Sequence, residues 1–213
     1  MNFTDFNKQV TKIKNLSLPG EESHFKMEPE IRKQWRDSDE IAQRNPKRAA
    51  VMALFYPNKN YDTQLLLILR KTYKGVHSNQ IGFPGGKVEP TDKNLEITAL
   101  RETEEEVGVS SKDVQVLKEL SELYIPPSNF IVQPYLGLYK EPKPFKIQES
   151  EVEAIVEVLF SDFMDENNLI RQNLTTSYAN NINVPAFKLN GYVVWGATAM
   201  MLSEIKELLK QVL

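Results

Sequence analysis

Three carboxylates and a guanidinium crowd one short run, Arg101-Glu102-Thr103-Glu104-Glu105-Glu106. On a helix turning about 100° per residue, Glu102, Glu105 and Glu106 fall within an arc of roughly 100°. Ala99, Leu100, Thr103 and Val107 fill the adjoining arc, and Glu104 lies beyond it. The helix would therefore have one side for a core and a cluster of acids beside it. Like charges so placed repel one another. Arg101, one turn before Glu105, could offset part of that cost, and a divalent cation would offset far more. Carboxylate oxygens are hard donors that suit Mg²⁺ or Mn²⁺ better than soft metals. A solvated acidic face is the plain alternative for any such run.

The elements around the run must place those acids. Asp92, next to Pro90, is positioned to cap the start of the helix, and Gly108 to end it. Upstream, Phe83-Pro84-Gly85-Gly86 forms a glycine turn. Gly85 and Gly86 would let the backbone come close to a phosphate or a metal; a simple turn is the alternative.

The segment Arg101-Glu102-Thr103-Glu104-Glu105-Glu106-Val107-Gly108-Val109 resembles the core of the Nudix box, with Thr103 at a position usually aliphatic. Gly86 resembles the glycine that opens the box. The box also has an intermediate acid, and here the common spacing lands on Lys93, with Asp92 one residue early and Glu89 and Glu96 as other candidates. The run Leu66 to Gly86, LLILRKTYKGVHSNQIGFPGG, is similar to the signature that precedes the box in coenzyme A diphosphatases. Leu66, Leu67, Arg70 and Phe83 to Gly86 match in register. Ile68, Lys71, Gly75 and Asn79 depart from it, although Lys74 beside Gly75 could supply the missing charge.

The resemblance implies an α/β/α sandwich with a mixed β-sheet, and hydrolysis of a phosphoric anhydride with Mg²⁺ or Mn²⁺. It implies Glu102, Glu105 and Glu106 as metal ligands, with Arg101 orienting Glu105. One acid must remain as general base: a box glutamate or Glu151, which resembles the family's downstream acidic position. Arg70, Lys74 and His77 precede the glycine turn and would contact the substrate's phosphates, as Arg and Lys suit phosphate by charge and donors. For His77 a locally bonded loop histidine is the alternative. Trp195-Gly196-Ala197-Thr198 resembles a tail segment of these diphosphatases, with Trp195 read first as a core residue. The implied substrate is coenzyme A, cut to 4′-phosphopantetheine and 3′,5′-adenosine bisphosphate. Two alternatives stand: nucleoside triphosphates, ADP-ribose or another nucleotide sugar as substrate, and a nucleotide-binding regulator without hydrolysis.

The whole chain agrees with a globular enzyme. Its 213 residues are 41% hydrophobic and 26% charged, enough for a substantial core. The net charge of −3 gives no footprint for nucleic acid. The absence of cysteine removes disulfides, thiolate catalysis and zinc–thiolate sites. No apolar run approaches a membrane span, and residues 1–15 are interrupted by charges unlike a signal peptide. The expected location is cytoplasmic, and the expected partner a small nucleotide.

Along the chain, Phe3, Phe6, Val10 and Ile13 recur at helical spacing, giving a face for the main domain or for a second subunit in a homodimer. Residues 1–45 read as a helical extension packed on a Nudix domain at 46–213, with 17–30 as connecting loop. Ala49 to Tyr56, Gln64 to Arg70 and Phe130 to Tyr139 read as strands. Asn167 to Asn183, polar and rich in amides, reads as a loop able to act as a lid. Val184 to Leu189 and Tyr192 to Trp195 read as a hairpin closed by Asn190-Gly191, and Ala197 to Val212 as a final amphipathic helix.

Overall fold

Period-two alternation in the longest apolar strand explains the layers. Along Lys47–Pro57, Ala50, Met52, Leu54 and Tyr56 enter one core, and Ala49, Ala53 and Phe55 enter another. A strand buried on both faces must have helices on both sides. The computed structural model, which describes residues 1–35, 37–71, 80–175 and 181–213, has that arrangement.

In chain order the elements are α1 (Phe3–Val10), α2 (Glu21–Phe25), a 3₁₀ turn (Glu30–Trp35) and α3 (Ser38–Gln43). Next come β1 (Lys47–Pro57), β2 (Thr63–Arg70), β3 (Ile81–Gly82), β4 (Gly85–Lys87) and α4 (Leu95–Val107). Then follow β5 (Val114–Glu119), β6 (Leu123–Ile125), β7 (Phe130–Tyr139), β8 (Val152–Leu159) and α5 (Phe160–Met164). The chain finishes with β9 (Leu169–Leu174), β10 (Ile182–Leu189), β11 (Tyr192–Trp195) and α6 (Gly196–Lys210).

The main sheet is mixed, as expected. Its path runs β3-β2-β1-β7-β5, with β4 paired to β1, β6 to β7 and β8 to β2. Strand β1 runs parallel to β7 and antiparallel to β2 and β4. Helix α4 covers one face through Ala99, Leu100 and Val107. Helices α1 and α6 cover the other, where Phe6 meets Phe55 and Phe160 with ring centroids 5.0 and 5.1 Å apart. Phe3, Phe6, Val10 and Ile13 are all buried within the chain. Backbone bonds from Phe3 N–H to the Tyr61 carbonyl and from Thr63 N–H to the Met1 carbonyl fasten this segment to the turn before β2.

Two stretches differ from the sequence reading. Residues 17–30 contain α2, entered through Gly20 at φ 62°. Leu169–Leu174, expected in a loop, is a strand paired with β10 in a second sheet ordered β11-β10-β9. Its amides account for the difference: Asn173 and Asn183 stand directly opposite, their side chains bond at 2.8 Å, and Arg171 donates to the same Asn183. Polarity there serves the open face of a sheet. The β10–β11 hairpin turns at Asn190 and Gly191, with φ 46° and 82°, as a two-residue turn of this composition requires.

Candidate functional site

The site begins with two glycines on β4. At Gly85, φ is 148°, and a Cβ there would overlap the Ala50 carbonyl oxygen and lie 2.5 Å from Val51 Cα. Only glycine lets β4 lie on β1 in this way. At Gly86 a Cβ would occupy the space of the Glu102 carboxylate. The missing side chain is what admits that acid.

Helix α4 starts later than Pro90 and Asp92 suggested. Its N-cap is Asn94, whose side chain accepts from Ile97 N–H at 2.9 Å. Asp92 is committed elsewhere, which is why it does not cap. It receives Arg101 Nε at 3.0 Å and Nη2 at 2.9 Å, as well as Thr98 Oγ1 and Glu89 N–H. The fork-on-carboxylate geometry is a strong, oriented pair. Foremost through the Arg101 bond, it holds the Asp92 carboxyl well below its usual range and raises the Arg101 guanidinium. Thr103, at the usually aliphatic position, is buried and returns its hydroxyl to the Ala99 carbonyl at 2.6 Å. Gly108 closes the helix in the left-handed region, φ 72°, as expected.

Anchored by Asp92 and by the Lys87 carbonyl at 3.1 Å, Arg101 extends Nη1 to Glu102 at 2.9 Å and to Glu105 at 3.2 Å. Glu105 is the exposed member, with 52% of its side chain accessible. The Glu102 carboxyl is pushed up by burial, Arg101 opposing and Glu105 and Glu151 adding to the rise. Glu106 is only 1% exposed. It accepts Gly85 N–H at 2.8 Å and Arg70 Nη1 at 3.3 Å, while Arg70 Nη2 donates to the Gly85 carbonyl at 2.7 Å. Burial drives the Glu106 carboxyl up to about 7, Arg70 and Gly85 N–H pull it down, and Glu102 and Glu151 add to the rise.

Arg70 is thus at the carboxylates, bracing Glu106 and, through the Gly85 carbonyl, strand β4, in place of the glycine turn expected there. Glu151 is exposed in the turn before β8, and its charge is felt at both Glu102 and Glu106. Lys74 and His77 lie outside the described residues.

Among the described residues no three acids or histidines already converge as a metal cage. Arg101 lies between Glu102 and Glu105, and Arg70 occupies Glu106. The donor set nonetheless fits a hard divalent cation: oxygen ligands only, mutual repulsion left over, and a glycine where a side chain would intrude. Glu102, Glu105 and Glu106 would hold it. Bound there, such an ion would polarise phosphoryl oxygens and acidify water.

Beside β4 opens a cavity of about 550 Å³ that reaches Arg70, Gly85 and Gly86. Its walls are largely apolar, among them Ile31, Val51, Phe130, Trp195 and Met201. Trp195 is half-buried and lines this space, in place of the core position expected for it. Thr198 shares the wall and fixes its hydroxyl on the Ile81 carbonyl at 3.0 Å. Reading the sequence missed the contribution of Pro29 to Arg32 altogether, since no motif marks it. The Asp92 anchor has no local signal either, although Asp92 stands one residue from the common spacing of the intermediate acid.

A protein-family model, the NUDIX domain, matches residues 46–176. Nudix hydrolase 22, chloroplastic, from Arabidopsis thaliana is 32% identical over 162 residues, covering 74% of this chain and 53% of that protein. An uncharacterized Nudix hydrolase, NudL, from Yersinia pestis is 34% identical over 146 residues, covering 67% of this chain and 71% of that one. The chain thus spans little more than half the length of its Arabidopsis relative. Two solved structures share the fold: the Nudix hydrolase RenU from M. smegmatis, with TM-score 0.55, 15% identity and coverage of 79% and 88%, and a MutT/nudix family protein from Enterococcus faecalis, with TM-score 0.53, 16% identity and coverage of 92% and 76%. With the glycine strand, the arginine-braced glutamates and the mixed sheet already in place, these matches make the chain a member of the Nudix family.

Proposed function

We propose that the protein is a Mg²⁺- or Mn²⁺-dependent diphosphohydrolase whose substrate is coenzyme A. Water would add across the P–O–P bridge, giving 4′-phosphopantetheine and 3′,5′-adenosine bisphosphate. The observation that carries the hydrolytic reading is the Glu102, Glu105 and Glu106 cluster, braced by Arg101 and Arg70, beside a cavity that Arg70, Gly85 and Gly86 line. Nudix hydrolases generally use divalent ions of this kind. The coenzyme A reading rests on Leu66, Leu67, Arg70 and Phe83 to Gly86, which match the upstream signature in register.

In this reading each residue has a task. Asp92 fixes Arg101, and Arg101 holds Glu102 and Glu105 in orientation. Gly85 N–H and Arg70 hold Glu106, and Arg70 is near enough to the cavity to meet a phosphate as well. Glu105 and Glu151, the exposed acids, are the candidates to take the proton from water. Lys74 and His77 complete the phosphate-binding set. The substrate is a small nucleotide, with no role for nucleic acid. No helix among the described residues is long and apolar enough to cross a membrane, and a cytoplasmic enzyme is the setting we propose.

Gly75 and Asn79, which depart from the signature, favour a second reading in which ADP-ribose or a nucleoside triphosphate is the substrate. Product analysis with Mn²⁺ and coenzyme A, ADP-ribose, NADH or dGTP separates the two. 3′,5′-Adenosine bisphosphate released fastest from coenzyme A supports the first. Faster cleavage of another compound moves the assignment to it. Ligand binding without turnover under any metal would leave a nucleotide-binding regulator.

A further inference from the structure

The cavity has a wall that the Nudix match does not include. Pro29, Ile31 and Arg32 line it, all before residue 46 where the family match begins. Ile125, Phe130 and Trp195 line the same space, which continues to Gly85 and Gly86 beside the glutamates. A group entering here would meet a lining more apolar than polar, with the Trp195 indole in it and Arg32 and Arg70 as its guanidinium groups. A substrate whose diphosphate rests at the glutamates could therefore place an apolar portion between the N-terminal segment and Trp195. At about 550 Å³ the space is within the usual range for small-molecule sites.

A buried polar clamp fixes where that wall stands. Glu204, on α6, is fully buried. Its carboxylate accepts Gly20 N–H at 3.2 Å, Ser121 N–H at 3.1 Å and the Ser121 hydroxyl at 2.6 Å, and His24 Nε2 lies 3.3 Å from it. Gly20 is the residue before α2 and His24 lies within it, the last helix before Pro29. Lys26, just past α2, pairs with Glu207 one turn further along α6 at 3.0 Å. The clamp thus ties the segment leading into the wall to the same helix that supplies Ala197, Thr198 and Met201 to the cavity.

We infer that residues 29–32, positioned by Glu204, are a specificity element that selects diphosphate substrates bearing an apolar group over compact ones. The inference deepens the coenzyme A reading and rests on it. Ile31 would touch the substrate's apolar end; Glu204 is a positioning residue that acts through α2.

The test uses the full chain with Mn²⁺ and two coenzyme A thioesters, octanoyl and acetyl, with ADP-ribose as a compact control. The unaltered protein should show a KM for the octanoyl ester at least about tenfold below that for the acetyl ester, which a fraction of the added methylenes can supply. Ile31→Asp, at a 41% exposed position, should raise the octanoyl KM about tenfold and the acetyl KM by a much smaller factor, with a melt run beside it to confirm the fold. Glu204→Ala should move the same KM, and Glu204→Gln, which keeps one acceptor oxygen for Gly20 and Ser121, should restore most of it. Equal KM for the two esters in the unaltered protein, or equal losses on both in Ile31→Asp, would overturn the inference and leave the coenzyme A reading intact. Turnover of ADP-ribose with neither ester cleaved would remove both.

Discussion

Glu106 on α4 and Glu204 on α6 are both buried almost completely, and they sit in opposite electrostatic states. Burial pushes both carboxyls up. At Glu204 the His24 ring and the two Ser121 donors outweigh it and hold the group below its usual range. At Glu106 one N–H and a 3.3 Å guanidinium contact are set against Glu102 and Glu151, and the carboxyl ends near 7. The lesson lies in the donors. A buried carboxylate supplied with two donors on each oxygen, as Glu204 is, is a joint; Glu106 has one on each. One that is under-supplied, and next to other acids, is waiting for positive charge.

The largest expected break of that contrast is catalytic. Glu106→Gln should lower kcat/KM by at least about 10³-fold by removing charge that would hold the metal, with thermal stability unchanged or raised because a poorly compensated charge is gone. Near-normal activity would sink the metal assignment. Glu204→Ala should do the reverse: about 3 kcal/mol of stability lost in a denaturant melt, as when one partner of a buried pair is removed, with kcat for ADP-ribose retained. Next in size is Asp92→Asn, which weakens the Arg101 anchor. Orienting groups of this kind are worth about 10- to 100-fold in activity, which steady-state kinetics would check, beside a melt expected to fall because Arg101 stabilises the buried Asp92 carboxylate.

The smallest effect is on pH. The folded Glu106 carboxyl, near 7, lies above its ordinary value of 4.5, so between those values the folded state holds the proton that the unfolded state has released. Metal-free protein should therefore lose stability as pH rises from 5 to 7, with at most about 3 kcal/mol from the shift and about 1 to 2 kcal/mol once side-chain relaxation is allowed for. Glu106→Gln should flatten that slope. Glu204, held low, contributes stability that is present above its unfolded value and lost as pH falls through the folded one, so its slope belongs to acid conditions. Melts from pH 4 to 8 in a chelator would separate the two.

Much of this frame could be read directly from residue patterns. Short apolar runs rich in strand-forming residues located β1 and β2, Asn190-Gly191 located the hairpin, and RETEEE with Gly108 located the far end of α4. The near end moved because Asp92 had two possible roles and a nine-residue reach to Arg101 decides between them; no local pattern encodes that reach. Leu169–Leu174 misled for a related reason: an amide has the same polarity in a loop and on a sheet face, and only the opposing Asn183 distinguishes them. Glu204 and His24, far apart in sequence, carry no motif at all, although together they close the joint. Legibility ended where partners come from distant segments.

The two faces of the main sheet also differ in when their residues become available. The core beneath α4 is drawn from Ala50 to Val152, with Ile155 packed against it, whereas the opposite core needs both Phe3 and Leu209. On a ribosome, the face that carries the glutamates has all its residues well before α6 is made, while the cavity has neither Trp195 nor the anchor for its N-terminal wall. Docking of α6 is then the step that completes the cavity beside the acidic ledge, so the wall is assembled after the glutamates it adjoins.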